Sequence, residues 1–117
     1  MEVHAITKNV RMSAQKMREV VRQIQGLPAA QAQAVLAAVP RKGARFVAKT
    51  LKSAIANAED LKEHKKEYNG MKTDRLVIKE ALAQTASTLR RFTPKARGSA
   101  GPILKRNCHI KIVLSDE

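Results

Sequence analysis

At 117 residues the chain fits one domain with a thin core. Lys and Arg number 23 against 10 Asp and Glu, a formal charge of +13; such an excess repels itself in a compact monomer and is neutralised by a polyanion with release of condensed counterions. Phe46, Tyr68 and Phe92 are the whole aromatic content and Trp is absent, which argues against a fold that reads single strands on an aromatic platform.

One cysteine, Cys108, excludes an internal disulfide and a multi-cysteine zinc site and points to a reducing compartment. No apolar run is long enough to cross a bilayer. Met1-Glu2-Val3-His4 has neither the apolar region of a signal peptide nor the Arg-rich character of a transit peptide.

Val3 to Val10 reads as a short edge strand. Ser13 then fits a helix N-cap, where its hydroxyl accepts from a free backbone N–H. Met17, Val20, Val21 and Ile24 follow at i, i+3, i+4 and i+7, one apolar stripe on a helix that Gly26 ends. Lys16, Arg18 and Arg22 lie off that stripe and are expected to face outward. Pro28 fits the first turn of a second helix, Ala- and Gln-rich, running to Val39. Pro40 separates it from a third helix over about Lys42 to Leu61. There Val47, Leu51, Ala54, Ile55 and Ala58 share a face, and Arg41, Arg45, Lys49 and Lys52 fall opposite at about 100° per residue. No acid stands among those four cations, so they read as more than a solvated face. Asn69-Gly70 marks a turn, and Lys62 to Thr73 reads as a helix end and an exposed loop.

From Arg75 the pattern changes to strands. Leu76-Val77-Ile78 is a β-type run, and Ile110, Ile112 and Leu114 alternate with Lys111 and Val113 at a period of two. Between these anchors, from Ala81 to Ser115, there is no Asp or Glu. The cations there are Arg90, Arg91, Lys95, Arg97, Lys105, Arg106 and Lys111, with Pro94, Gly98, Gly101 and Pro102 clustered centrally. Two strands that pair at their roots and meet at a Pro/Gly-rich centre describe a long hairpin rather than a tail, because a tail has no reason to return to the core. An arm from Leu76 to Phe92 spans roughly 50 Å at the rise of a β-strand. A lone two-stranded ribbon is marginal in water, so the tip is expected to become ordered within a partner. The expected fold class is α+β: three helices packed on a small antiparallel sheet, one domain over 1–117, with a hairpin protruding at about 82–107.

Three segments carry a resemblance that runs nearly end to end. They are Arg11-Met12-Ser13-Ala14-Gln15-Lys16-Met17-Arg18 with Val20-Val21 and Ile24-Gln25-Gly26; Leu51-Lys52-Ser53-Ala54-Ile55-Ala56-Asn57-Ala58-Glu59; and Arg91-Phe92-Thr93-Pro94-Lys95-Ala96-Arg97-Gly98, then Ile103-Leu104-Lys105-Arg106 and His109-Ile110-Lys111-Ile112-Val113-Leu114-Ser115. In this order and spacing the chain resembles the family of bacterial-type large-subunit ribosomal protein number twenty-two. The resemblance implies a domain on the outside of the large subunit and a hairpin that threads through 23S-type rRNA to the wall of the nascent-peptide exit tunnel. It also implies a role in assembly, neighbouring ribosomal proteins and the nascent polypeptide as partners, a monomer within the particle, and a cytoplasmic or organellar ribosome as its place. Carried onto this chain, the hairpin's RNA contacts are Arg90, Arg91, Lys95, Arg97, Gly98, Lys105 and Arg106. The tunnel-side tip is Leu89, Arg90, Arg91, Phe92 and Pro94. The domain's RNA surface takes Arg11, Ser13, Lys16, Arg18, Arg41, Arg45, Lys49, Lys52 and Asn57. The chain departs from the family at Ser99, where a further cation is common, and at Gly101-Pro102, where charged residues are common. Its stretch from Asp60 to Asp74 is longer than usual.

Chemistry of other kinds finds no support. Cys108 and His109 are adjacent on a strand and point to opposite faces, so they form no nucleophile–base couple. His4, His64 and His109 lack metal spacing, and no phosphate-binding glycine loop occurs; no catalytic group, metal or cofactor is expected. A DNA-binding architectural protein would share the charge, but no helix-turn-helix, zipper or zinc finger is legible. A membrane-active peptide would need more large apolar groups in its basic region.

Overall fold

The computed structural model describes residues 1–116. In chain order it contains β1 (Glu2–Val10), α1 (Ala14–Ile24), α2 (Ala29–Ala38), α3 (Lys42–His64), β2 (Val77–Thr85), β3 (Leu89–Pro94), β4 (Ala100–Lys105) and β5 (Cys108–Ser115). Short 3-10 turns occupy Lys66–Tyr68, Thr73–Arg75 and Ala96–Gly98. The α+β expectation holds: three helices lie against one antiparallel sheet, ordered β1-β5-β2, and β3 and β4 form a separate two-stranded ribbon.

The helices form where the apolar periodicity places them. The Ser13 hydroxyl accepts from the Lys16 amide at 3.3 Å and opens α1. Met17, Val20, Val21 and Ile24 are all buried. Gly26 follows the end of α1 with φ +84°, a conformation that costs a residue without Cβ little. Pro28 stands one place earlier than the sequence implies, as the N-cap of α2, and its carbonyl accepts from the Ala32 amide. Helix α3 runs three residues beyond Leu61. It buries Val47, Leu51, Ala54 and Ala58, while Ile55 is only half-buried. Lys62–Thr73 is less exposed than the sequence suggests, because Met71 is fully inserted in the core.

Bulges keep the sheet's inward face apolar. Between Ile78 and Glu80 the register with β5 slips by one. The extra residue, Lys79, resets the alternation so that Ile78, Ala81 and Ala83 are all buried. In β1 the shift falls between Thr7 and Val10, where Asn9 adopts φ +57°, a left-handed state that Asn tolerates. Its freed amide donates to His109 Nδ1 at 3.0 Å. The buried hydroxyl of Thr50 is satisfied on both sides: it donates to the Phe46 carbonyl at 2.9 Å and lies 2.6 Å from the Thr7 hydroxyl. Burial holds the Cys108 thiol above its usual range.

The sheet's two edges are covered by side chains and loops. On the β2 side Arg18 Nε donates to the Ala83 carbonyl at 3.1 Å, and the Gly26 and Ala29 amides donate to Ile78 and Leu76. On the β1 side the Asn57 amide donates to the His4 carbonyl at 3.3 Å. Edge groups satisfied this way do not template a further strand.

Beyond the sheet the chain becomes a thin arm. The long strands of the expected hairpin are each interrupted: pairing in the main sheet stops at Thr85 opposite Cys108, and pairing in the ribbon starts at Leu89 opposite Lys105. At this joint the Ala86 amide donates to the Asn107 carbonyl at 3.1 Å, and the Asn107 side chain donates to the Ser87 carbonyl at 3.0 Å. The molecule measures 67 × 28 × 15 Å with a radius of gyration of 17.7 Å. A compact chain of this length has about 13 Å, and the arm accounts for the excess.

Candidate nucleic-acid interface

The domain and the arm contribute separate groups of cations. In the domain, Gly43 is buried against α1. A Cβ there would stand 3.0 Å from the Met17 sulfur and 3.3 Å from the end of Met12, so only glycine permits this helix approach without displacement. The approach brings Lys42 beside the start of α1. Arg11, Ser13, Lys16, Lys42 and Arg106 then line one cleft of about 660 Å³, with no acid in its lining. Arg11 also donates to the Arg106 carbonyl at 2.7 Å and ties the cleft to the arm's return. The free N–H groups at the start of α1 add positive potential.

Lys42 does not appear in the surface read from the sequence. It lies far from Lys16 in the chain, and only the Gly43 crossing makes them neighbours. Arg45, Lys49 and Lys52 are exposed on α3 at i, i+4 and i+7, as the periodicity requires. Arg41 differs from them, since as the N-cap of α3 it makes a 2.7 Å ion pair with Glu19 of α1. Sequence spacing within α3 cannot show an acid on another helix. Arg18 and Asn57 lie at the sheet edges, where their polar groups bond backbone carbonyls.

In the arm, Arg90, Arg91, Lys95, Arg97, Gly98, Lys105 and Arg106 are all exposed, as are Leu89, Phe92 and Pro94. The turn that reverses the arm uses two successive left-handed residues, Arg97 at φ +59° and Gly98 at φ +75°. It is closed by the Lys95 amide donating to the Ser99 carbonyl at 2.6 Å and by the Ser99 hydroxyl donating to the Ala96 carbonyl at 3.1 Å. Ser99 thus supplies a turn-closing hydroxyl. Gly101 has a similar local reason. The Lys95 stem lies across it, and a Cβ at Gly101 would stand 2.5 Å from Lys95 Cε. The Lys95 ammonium is carried back over the ribbon instead of extending beyond it.

Ion pairs among the described residues include Met1–Asp116, Arg41–Glu19 and Lys79–Glu2, and His64 Nδ1 lies 3.2 Å from Asp60 Oδ1. All belong to the domain. The arm has cations and no acid of its own to neutralise them. Among the described residues no cluster of His, Cys, Asp or Glu is arranged to hold a metal ion, and no helix is long and apolar enough to cross a membrane.

A small α+β domain with an acid-free, cation-rich arm defines a class: a basic protein whose extension carries cations that no acid of its own neutralises. Comparison with known proteins sharpens this. Residues 5–115 match the family model described as Ribosomal protein L22p/L17e. The chain is 50% identical to the large ribosomal subunit protein uL22 of Opitutus terrae, over 99% of this chain and 96% of that one. It is 46% identical to the uL22 of Akkermansia muciniphila, over 100% and 98% of the two chains, and 44% identical to that of Chloroflexus aggregans, over 100% and 97%. The chain belongs to the L22p/L17e family of ribosomal proteins. It is a structural component of the large ribosomal subunit rather than an enzyme.

Proposed function

We propose that the chain acts as a single 1–117 domain that binds 23S-type rRNA directly, supports assembly of the large subunit, and lines the nascent-polypeptide exit tunnel with its hairpin at about 82–107. The observation that carries this reading is the arm. It projects from the core, contains no Asp or Glu between Ala81 and Ser115, and makes the molecule 67 Å long. A ribbon of this kind has too little core to persist for its own sake. Its cations acquire anionic partners only when phosphates surround it.

Docking divides by chemistry. The α1 cleft with Arg11, Ser13, Lys16 and Arg106, and the α3 row of Arg45, Lys49 and Lys52, neutralise phosphates from the domain side. In the arm, Arg90, Arg91, Arg97 and Arg106 offer planar forks that bridge phosphate oxygens, while Lys95 and Lys105 act as point charges. Gly98 lets the backbone approach RNA closely. Leu89 to Pro94 forms the tunnel-side segment and meets the nascent polypeptide. The partners are rRNA, neighbouring ribosomal proteins and the nascent chain, in a cytoplasmic ribosome, with one copy per particle and no cofactor.

Two measurements test this. The chain should co-sediment with large subunits at moderate salt, and recovery as free protein would refute the reading. A photo-crosslinker at Arg91, within the Leu89–Pro94 segment, should capture a stalled nascent chain. Crosslinks confined to rRNA would remove the tunnel role while leaving the rRNA role intact.

A further inference from the structure

Neighbouring residues of a strand point to opposite faces, so Leu89 to Pro94 cannot present all of its side chains to one partner. The ribbon's register separates them. Arg90, Phe92 and Pro94 stand opposite Leu104, Pro102 and Ala100 and share one face. Leu89, Arg91 and Thr93 stand opposite Lys105, Ile103 and Gly101 and share the other. The first face is mostly apolar with one cation, and the second carries Arg91 and Lys105.

Phe92 is the most prominent group on the first face. Its relative exposure is 75%, whereas Phe46 and Tyr68 pack against the core. The ring shares one exposed ribbon face with Pro94, Pro102 and Leu104, and a contiguous apolar patch of this kind marks an interaction site. Phosphates and riboses give a phenyl ring little. The large apolar surface that RNA offers is the face of a base, and stacking on an aromatic ring is tolerant of base identity. The surroundings favour the same occupant, since the ring lies within a stretch from Ala81 to Ser115 that is cationic and acid-free. Arg90, on the same face, can hold the phosphate of the stacked nucleotide. A ring left open to the tunnel would instead adhere to every apolar segment that passed.

We propose that the Phe92 face of the ribbon packs on an unpaired nucleobase of the large-subunit rRNA, ring against base, and is turned away from the tunnel lumen. This inference rests on the rRNA-binding reading given above. It assigns the arm a stacking contact in addition to its charge contacts, and it makes the Arg91 face the one that borders the lumen.

The chain has no Trp, so Phe92→Trp places a single indole at the contact. On binding large-subunit rRNA its emission should fall severalfold, resist acrylamide quenching and recover after ribonuclease treatment. Phe92→Ala should weaken binding on the order of tenfold with the slope of affinity against salt unchanged, because the same phosphates stay neutralised. Phe92→Leu should restore only part of that affinity. An indole that stays bright and open to acrylamide while binding persists would overturn the stacking and leave the rRNA-binding reading standing. An indole shielded only when a nascent chain stalls in reconstituted subunits would overturn it as well. Failure of the unaltered chain to bind rRNA would remove both.

Discussion

Ile110 and Leu104 are aliphatic residues on successive strands of the same chain, yet Ile110 is 0% exposed and Leu104 49%. Ile110 lies on β5, flanked by β1 and β2 and covered by the helices. Leu104 lies on β4, which has one partner strand and no layer beneath it. The charges divide the same way. Among the described residues every ion pair named above lies in the domain and none in the arm. The domain is specified by what it buries internally. The arm is specified by what surrounds it elsewhere, so its sequence answers to an external shape.

The largest test of this contrast is in the core. Leu51→Ala should destabilise the chain by about 2–5 kcal/mol, whereas Ile103→Ala in the ribbon should change stability by no more than about 0.5 kcal/mol. Urea midpoints compare them directly, and equal shifts would erase the distinction. Next comes the reverse experiment. Replacing Arg90, Arg91 and Arg97 together with Ala should leave the midpoint alone. It should flatten the salt dependence of rRNA binding by as much as about 0.9 for each phosphate that is no longer neutralised, and an unaltered slope would mean these forks touch no phosphate.

The joint should behave as part of the domain. Asn107→Ala removes the bond to the Ser87 carbonyl and should cost about 1–3 kcal/mol, with faster hydrogen exchange at Ala86. Cys108 sharpens the domain side further. Burial raises its thiol pKa, so the folded state holds the proton. Alkylation should therefore proceed only through opening, and stability should fall as pH rises past the ordinary thiol range. The smallest effect is in acid. The Lys79 hydrogen bond lowers Glu2, and the Met1 ammonium lowers Asp116. Their contribution is present above the ordinary carboxylate range and is lost as pH falls through the depressed values. An acid titration of Glu2→Gln should show a shallower loss than that of the unaltered chain.

Much of this was legible in the residues, and the limits have physical causes. The α1 stripe at Met17, Val20, Val21 and Ile24 and the β5 alternation were readable because burial on one side of a regular element imposes its period. Hairpin topology was readable because the strand at Ile110–Leu114 had to return. The joint at 86–88 was not, since Ala86, Ser87 and Thr88 include neither Gly nor Pro, and the break appears only in the register. Lys79 was hidden for a similar reason, because a bulge is a relation between two strands. Among the site residues, exposure of the arm's cations followed from composition alone. The Arg41–Glu19 pair and the Lys42 contribution to the cleft needed helix packing set by Gly43.

The order β1-β5-β2 has a consequence for how the chain is made. The strand at the centre of the sheet is the latest of the five to be synthesised, and both edge strands take their partner from it. Glu2 must wait for Ser115. While translation continues, the helices can form locally, but the apolar sides of β1 and β2 have nothing to complete them. Contacts that span almost the whole chain are slow to close. The basic arm is therefore synthesised before the strand that completes the domain, and closure of the sheet waits on the arrival of β5.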